Sequence, residues 1–238
     1  MIPLLFNTEN VRAILEGRKN ATRRVVKPQP RTGVTTLYRK EETNFWRTHG
    51  ADCWFEFRAP CVPGDILWVR ETWQAVYETE WCEDGQCTWK NIRELIPNFD
   101  NIQKVEAGMS SECSNSSMAQ RMKYFVFKAS EIQYADTQNG LVWRPSIHMP
   151  REAARIFLRV VKVGVERIQE IDDAGVMAEG LEIGCYFDEL WDRTVKPADR
   201  PSYGWEANPW VWVIEFQQIS KEEAEKCEKE KGSLLTAR

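Results

Sequence analysis

Long apolar segments are absent from the 238-residue sequence. No run approaches the roughly 20 consecutive apolar residues that a membrane-spanning helix needs, and residues 1–6 are too short and uncharged for a signal peptide. The hydrophobic fraction of 42 % and the charged fraction of 29 % are typical of a folded globular chain. We therefore expect a cytoplasmic protein that does not interact with a membrane.

Sequence signatures of several enzyme classes are also missing. There is no glycine-rich phosphate-binding loop, no G-x-S-x-G motif and no H-E-x-x-H motif, which disfavours dinucleotide enzymes, common serine hydrolases and zinc proteases. The seven cysteines are odd in number and irregularly spaced, which fits a reducing compartment better than a disulfide framework. Cys82 and Cys87 have no second close pair, and only His49 and His148 add imidazoles. We expect neither a metal nor a cofactor.

The chain as a whole has no excess of positive charge, but its first 31 residues do. The formal net charge is −4, which disfavours binding of nucleic acid through the overall field of the protein. Within residues 1–31, however, basic side chains clearly outnumber the two acidic ones, Glu9 and Glu16. The basic residues of this segment are Arg12, Arg18, Lys19, Arg23, Arg24, Lys27 and Arg31.

A predicted helix ends directly before this basic cluster. Thr8 is a suitable N-cap, apolar residues follow at helical spacing, and Gly17 stands where a left-handed stop belongs, so we predict a helix over residues 8–16. Lys19 and Thr22 then lie three positions apart at the start of a short strand. Such a junction favours a functional site, although a solvated basic turn has the same composition.

The rest of the chain predicts strands and short helices around one large insertion. Glu71 follows a predicted strand, and Glu179 falls in the last turn of a helix that Gly180 ends. We expect an α+β fold, a small mixed β-barrel with short flanking helices. The predicted strands are 66–69, 124–127, 157–168 and 209–216; the predicted helices follow Pro150, run from Asp172 or Asp173 to Gly180, and cover 187–191. Residues 82–122 predict a long loop, and 221–231 have helical propensity but almost no apolar face, which predicts a solvated or frayed appendage.

Eleven tryptophans are an unusual number for this length. Most are expected in the core, above all those within predicted strands. Trp143 and Trp205 lie in segments rich in Pro, Gly and Arg, where a ring beside a cation can stack on a nucleic-acid base. Alternatively, both tryptophans are ordinary core residues.

Four motifs resemble the ASCH domain of the PUA-like superfamily. They are Ile14-Leu15-x-Gly17-Arg18-Lys19-x-x-Thr22-x-Arg24, Pro63-Gly64-Asp65-Ile66-Leu67-Trp68-Val69-Arg70-Glu71, Ala178-Glu179-Gly180, and Trp212-Val213-Ile214-Glu215-Phe216. The long form, with its segment from Pro145 to Arg151, resembles ASCH-like proteins of phages and prophages. The resemblance implies one domain over residues 1–219, a PUA-like mixed barrel with insertions at about 28–60 and 75–122, and a charged tail over 220–238.

The resemblance also implies a basic cleft that holds RNA, a nucleotide or a modified nucleoside. Enzymatic members of the family are amidohydrolases that remove the acetyl group of N4-acetylcytidine, and their lysine, threonine and glutamate match Lys19, Thr22 and Glu179. Glu71 competes with Glu179 for the acidic role. Residues expected to contact the substrate are Arg18, Arg23, Arg24, Arg70, Glu71, Trp143 and Trp205.

The chemistry of such a trio is consistent. A threonine hydroxyl is a poor nucleophile unless a neighbour takes its proton, and a lysine can do so when burial or nearby cations lower its pKa. Arg18, Arg23 and Arg24 are available as cations. A glutamate can then protonate the leaving amine.

Other functions stay open at this point. Lys19, Arg23, Arg24 and Arg70 would equally suit phosphate contacts in a non-catalytic RNA-binding module or a ribonuclease. A phage protein that binds a host protein through tryptophan-rich insertions is a further alternative.

Overall fold

The computed structural model describes residues 1–30, 36–39, 45–49, 56–77, 79–83, 86–90, 103–106, 122–130 and 142–236. Its strands are β1 (Ile2–Leu5), β2 (Ala21–Val25), β3 (Thr36–Arg39), β4 (Phe45–His49), β5 (Glu56–Arg58), β6 (Ile66–Arg70), β7 (Trp73–Tyr77), β8 (Thr79–Glu83), β9 (Gln86–Lys90), β10 (Gln103–Glu106), β11 (Met122–Phe127), β12 (Phe157–Arg167) and β13 (Trp210–Ile219). Its α-helices are α1 (Thr8–Leu15), α2 (Asp173–Ala178), α3 (Phe187–Thr194), α4 (Arg200–Tyr203) and α5 (Lys221–Thr236). Single 3-10 turns lie at Lys128–Ser130, Ser146–His148, Arg151–Ala153, Ile168–Glu170 and Pro197–Asp199.

The largest sheet has five strands in the order β1-β6-β12-β13-β2. β13 pairs antiparallel with both β12 and β2, and β12 carries an irregularity at Val161, between Val160 and Lys162. The mixed α+β composition with short helices is therefore confirmed. A closed barrel is not observed among the described strands, because β1 and β2 form the two edges of an open sheet.

The register gives the β12-β13-β2 part of this sheet two distinct faces. Directly paired residues share a face, and neighbours along a strand alternate between faces. The face that we call the inner face carries the buried row Val163, Ile214 and Thr22. The opposite face, the outer face, carries the row Gly164, Val213 and Arg23. Arg24 pairs with Trp212 and so belongs to the inner face.

The chain divides into two compact units. Unit one comprises Met1–Ile2, Ala13–Leu67 and Ile156–Arg238, and it includes the β3-β4-β5 sheet. Its outer face is covered in part by a cluster of Ile168, Trp191 and Val211, with Trp205 packed against it. Unit two comprises Pro3–Arg12 and Trp68–Arg155, and it includes the β10-β11-β7 sheet and the β8-β9 hairpin. One domain over residues 1–219 stays a prediction.

Local sequence signals predicted helices α1, α2 and α3 and strands β6, β11, β12 and β13 close to where they lie, whereas β1, β3, β4 and β7 to β10 were not predicted. Helix α1 ends at Leu15, and Gly17 follows with a φ of 74°. Asp172 caps α2 by accepting a hydrogen bond from the Gly175 N–H at 2.7 Å. The helix predicted after Pro150 is a single 3-10 turn. The loop predicted over residues 82–122 was wrong in part, because it contains β9, β10 and the last two residues of β8. Its Ser-rich portion, 110–117, lies outside the described residues.

The charged tail forms a helix, as its helical propensity predicts, but this helix is packed and is not the solvated or frayed appendage that we expected. Ala224 of α5 is completely buried. Glu223 accepts a hydrogen bond from Arg159 at 3.0 Å, and Lys231 pairs with Asp65 at 2.7 Å. A single buried alanine gives no apolar stripe in the sequence, so this packing has no periodic signal. In the part of the chain that the structure describes, no helix is long and apolar enough to cross a membrane.

A buried ion pair lies within unit two. Arg155 donates two hydrogen bonds to the carboxylate of Glu71, each at 2.9 Å, and a third to the Ser130 hydroxyl at 2.9 Å. The side chains of Glu71 and Arg155 are 1 % and 9 % exposed. Burial raises the pKa of Glu71, and the Arg155 guanidinium opposes that shift. The two hydrogen bonds from Arg155 to Glu71 hold the residue that follows β6 against the segment that precedes β12.

Removing one member of this pair leaves a buried charge without its partner. We expect Glu71→Gln to lower the free energy of unfolding by about 3–5 kcal/mol. Arg193→Gln, which removes the exposed Arg193–Glu189 pair of α3, is the control and should change it by less than about 0.5 kcal/mol. Urea unfolding of both variants measures the difference, and equal small effects would contradict a buried role for Glu71.

Candidate functional site

Two glycines bring together the ends of α1 and α2. After Gly17 ends α1, the backbone N–H of Lys19 donates to the carbonyl of Ala13 at 3.0 Å. Gly180, with a φ of 82°, ends α2. A Cβ at Gly180 would lie 2.8 Å from the Cβ atoms of both Ala13 and Lys19, so no larger residue fits at this crossing. The chain therefore holds Lys19 directly against the C-terminal end of α2.

Lys19 and Glu179 form a buried ion pair at this crossing. The two residues make an isolated antiparallel bridge, and the N–H of Asn20 donates to the Ala178 carbonyl at 2.9 Å. The Lys19 Nζ donates to the Glu179 carboxylate and to the Glu179 backbone carbonyl at 3.0 Å. The Lys19 side chain is 0 % exposed and that of Glu179 is 11 % exposed. Of the two competing carboxylates, Glu179 contacts Lys19, and Glu71 contacts Arg155.

Arg23 connects this pair to a second carboxylate. Its guanidinium donates to Glu166 at 2.7 Å, to the Glu179 carboxylate at 3.4 Å and to the Gly175 carbonyl at 3.3 Å. The Arg23 side chain is only 5 % exposed. Glu166 is a site residue that sequence reasoning missed, because its contact depends on the pairing of β12 with β13 and β2 and no local motif marks it.

Burial lowers the pKa of Lys19. An ammonium removed from water is disfavoured, and the cations of Arg24 and Arg23 add to the shift, whereas Glu179 opposes it by charge and by hydrogen bonding. Burial also lowers the pKa of Arg24. Of the three arginines expected to act on Lys19, Arg23 and Arg24 lower its pKa.

Thr22 lies between the two arginines but on the other face from Arg23. It is 3 % exposed and shares the inner face with Ile214, its direct cross-strand partner. Arg24 is on the same face, beside Trp212, whose ring meets that of Trp46 edge-on with centroids 5.8 Å apart. Because β2 is an edge strand, Glu179 at its open edge is within electrostatic reach of cations on both faces. The Thr22 hydroxyl therefore belongs to the Arg24 and Trp212 side of the site.

Other residues expected at the site have structural contacts elsewhere in unit one. Arg18 is half-exposed, pairs with Glu16 and donates to the Gly180 carbonyl. Trp205 packs edge-on against Phe187, with ring centroids 5.9 Å apart, as part of the outer-face cluster. This packing agrees with the alternative in which Trp205 is a core residue.

Three further residues expected at the site belong to unit two. Arg70 donates to the backbone carbonyls of Ile147 and Met149, at 2.6 and 3.1 Å. Glu71 is engaged by Arg155. Trp143 is half-buried, next to Arg144, whose guanidinium covers the ring of Trp73. These contacts hold the chain segment that precedes β12.

Neither the comparisons with known proteins nor the arrangement of the described His, Cys, Asp and Glu side chains assigns a function to the chain. No protein-family model, no curated protein and no solved structure matches the chain. Within the described ranges, no three His, Cys, Asp or Glu side chains are grouped so that they could hold a metal ion. Cys82 and Cys87 are direct cross-strand partners in the β8-β9 hairpin. A functional proposal therefore depends on the site geometry and on the motifs around it.

The pH dependence of stability should reveal the Lys19–Glu179 pair. In Glu179→Gln, Lys19 loses the two effects that raise its pKa, so the pKa falls further below 10.5. Between that pKa and 10.5 the unfolded chain binds a proton that the native protein lacks, so native stability rises with pH. The variant should therefore be less stable than the parent by about 3–5 kcal/mol at pH 7, and the deficit should shrink near pH 10.5.

Urea unfolding at several pH values measures this deficit. Lys19→Met is the matched background, in which Glu179→Gln should show little pH dependence. A deficit that is the same at all pH values in both backgrounds would contradict the buried pair.

Proposed function

We propose that the chain is an ASCH-type, PUA-like protein that binds a modified nucleoside and hydrolyses the amide of N4-acetylcytidine. The observation that carries the proposal is the fully buried Lys19, with a lowered pKa, in contact with Glu179 and three residues from a buried threonine. These are the residue types at the positions that the family resemblance implies. The described strands form an open sheet, so the closed barrel of that family is proposed and not observed.

The Lys19–Glu179 pair supplies both a base and an acid without a change in net charge. Moving one proton from the Lys19 ammonium to the Glu179 carboxylate gives a neutral amine and a carboxylic acid. Burial disfavours the Lys19 ammonium and lowers the pKa of Lys19, while the charge and hydrogen bond of Glu179 oppose that shift. A base with a lowered pKa suits proton transfer in catalysis.

The reaction then follows from the roles of the three side chains. Lys19 takes the proton of the Thr22 hydroxyl as the oxygen attacks the amide carbonyl. The C–N bond breaks, Glu179 gives its proton to the leaving amine, and the acetyl group stays on Thr22 as an ester. The pair then again holds one proton, as at the start. Water attacks the ester, one water proton returns to the Thr22 oxygen, and the acetyl group leaves as acetate while the other proton goes to solvent.

The inner face also offers groups that suit a pyrimidine. Trp212 lies on the face that carries Thr22, its ring meets that of Trp46, and Arg24 is its direct cross-strand neighbour. Aromatic rings stack on bases, and a neighbouring guanidinium can donate hydrogen bonds to the carbonyl oxygens of a base. This arrangement supports a base-containing substrate over a simple alkyl amide.

Substitutions of the trio test the activity directly. We expect the parent protein to convert N4-acetylcytidine to cytidine, as followed by chromatography. Lys19→Ala and Thr22→Val should each lose at least about 100-fold in kcat/KM, because the first removes the base and the second removes the nucleophile. Lys196→Ala, at an exposed lysine, is the control and should keep full activity. Turnover by Thr22→Val at the parental rate would show that Thr22 is not the nucleophile.

The pH profile provides a separate test of the base. Activity should fall as pH rises through the pKa of Lys19, which lies below its ordinary value of 10.5, because the pair then loses the proton that Glu179 gives to the leaving amine. Arg24→Met removes a cation that lowers this pKa, so the midpoint of kcat/KM against pH should move to higher pH. A midpoint that moves to lower pH or stays fixed would contradict Lys19 as the base.

A non-catalytic RNA-binding module is the competing proposal, supported by the excess of basic residues within 1–31. It predicts no turnover by any variant, together with RNA binding that weakens steeply with salt. Lys19→Ala would then reduce affinity for all RNA sequences alike. Filter binding of a labelled RNA at two salt concentrations separates the two proposals.

A further inference from the structure

The family resemblance implies that Arg23 contacts a substrate, but its guanidinium is engaged by acceptors of unit one. Its Nε donates to Glu166 at 2.7 Å, and its Nη1 donates to the Gly175 carbonyl at 3.3 Å and to Oε1 of Glu179 at 3.4 Å. The side chain is only 5 % exposed. The guanidinium therefore contacts three acceptors of the protein and presents little surface to a substrate.

Gly175 in α2 makes room for this guanidinium. A Cβ on Gly175 would lie 2.6 Å from Nη2 of Arg23, too close for two non-bonded atoms, and 2.9 Å from Cγ1 of Ile171 and 3.2 Å from Oδ1 of Asp172. Ile171 is half-buried and Asp172 is exposed, so both side chains have room to shift, whereas Arg23 is held by its three acceptors. Glycine is a poor residue for a helix interior, and the close approach of Arg23 accounts for its presence here.

The carboxylate of Glu179 contacts one cation at each of its oxygens. Oε2 accepts a hydrogen bond from the Lys19 ammonium, and Oε1 accepts one from Arg23. A carboxylate held at both oxygens cannot rotate about its last bond without breaking a charge-assisted hydrogen bond. The proton that passes between Lys19 and Glu179 in the proposed reaction therefore belongs on Oε2, the oxygen that faces Lys19.

A pocket of about 610 Å³ lies beside Arg23 on the outer face of the sheet. Arg23, Glu166 and Gly175 are among its lining residues. A guanidinium displaced from Gly175 has space to turn into this pocket and away from Glu179. Glu166 and the missing side chain at Gly175 are therefore what keep Arg23 against the carboxylate.

We propose that Arg23 is a positioning residue for Glu179: seated at Gly175 and held by Glu166, it occupies Oε1 and leaves Oε2 to exchange the proton with Lys19. This role rests on the proposed hydrolysis, in which Glu179 gives that proton to the leaving amine. Glu166 and Gly175 act through Arg23 and do not touch the reacting atoms.

The titration of Lys19 in Gly175→Ala tests this placement without any need for turnover. The added methyl group displaces the guanidinium, a cation that lowers the pKa of Lys19, so Lys19 should titrate at higher pH than in the parent protein. Arg23→Met removes the cation and should move the titration further in the same direction. Carbon-13 NMR of the lysine ε-carbons follows both variants. Gly164→Ala is the matched control, because a Cβ there would meet no atom within 4 Å, and it should leave the titration unchanged.

Kinetics with N4-acetylcytidine distinguish a positioning residue from a substrate contact. Gly175→Ala should lower kcat by about 10- to 100-fold, because the acid is misplaced, with little change in KM. The double variant Gly175→Ala/Arg23→Met separates this role from a general effect on α2. If the methyl group acts only by displacing Arg23, the double variant should match Arg23→Met in both kcat and the Lys19 titration.

Three results would overturn the inference. They are an unchanged Lys19 titration in both Gly175→Ala and Arg23→Met, a KM that rises while kcat stays at the parental value, and a further loss of kcat when Gly175→Ala is added to Arg23→Met. If Gly175→Ala does not fold, Arg23→Met alone provides the titration and the kinetic result. Absence of turnover by the parent protein would refute the hydrolysis separately, and the titrations would still decide whether Arg23 holds Glu179.

Discussion

Burial of the Lys19 ammonium beside the Glu179 carboxylate is the constraint around which the site is organised. Removing either charge from water is costly, and the cost is offset only when the partner is held close and further hydrogen bonds are made. The two residues are 160 positions apart in the chain, so their contact needs accurate placement of both backbones. Gly17 and Gly180 provide that placement by ending α1 and α2 at the crossing, and the Asp172 cap fixes where α2 begins. The same burial lowers the pKa of Lys19, which links the fold to the proposed chemistry.

The edge position of β2 gives the pair access to both faces of the sheet. Arg23 reaches Glu179 from the outer face and Arg24 acts on it from the inner face, because adjacent residues of a strand alternate. A strand in the centre of a sheet has neighbours on both sides and leaves no room for a carboxylate at its edge. The edge strand therefore separates a threonine side, with Trp212 and Arg24, from a pocket side, with Arg23 and Glu166.

Features that depend on a few neighbouring residues were predictable from the sequence. The stop at Gly17, the cap at Asp172 and the end of α2 at Gly180 follow from local backbone chemistry, and the Lys19 and Thr22 spacing came from a contiguous motif. Features that depend on pairing between distant segments were not predictable. Glu166 reaches Arg23 only through the register of β12 with β13 and β2, and the open sheet order and the strands within 82–122 likewise depend on long-range partners.

The pKa of the Lys19 amine is the measurement that tests this account most directly. Carbon-13 NMR of the protein labelled at the lysine ε-carbons, with Lys19→Arg to assign the signal, follows the titration of each lysine. We predict that Lys19 titrates below 10.5, at lower pH than the exposed lysines such as Lys196. If Lys19 titrates together with the exposed lysines, its amine is solvated, and the buried acid–base pair does not exist.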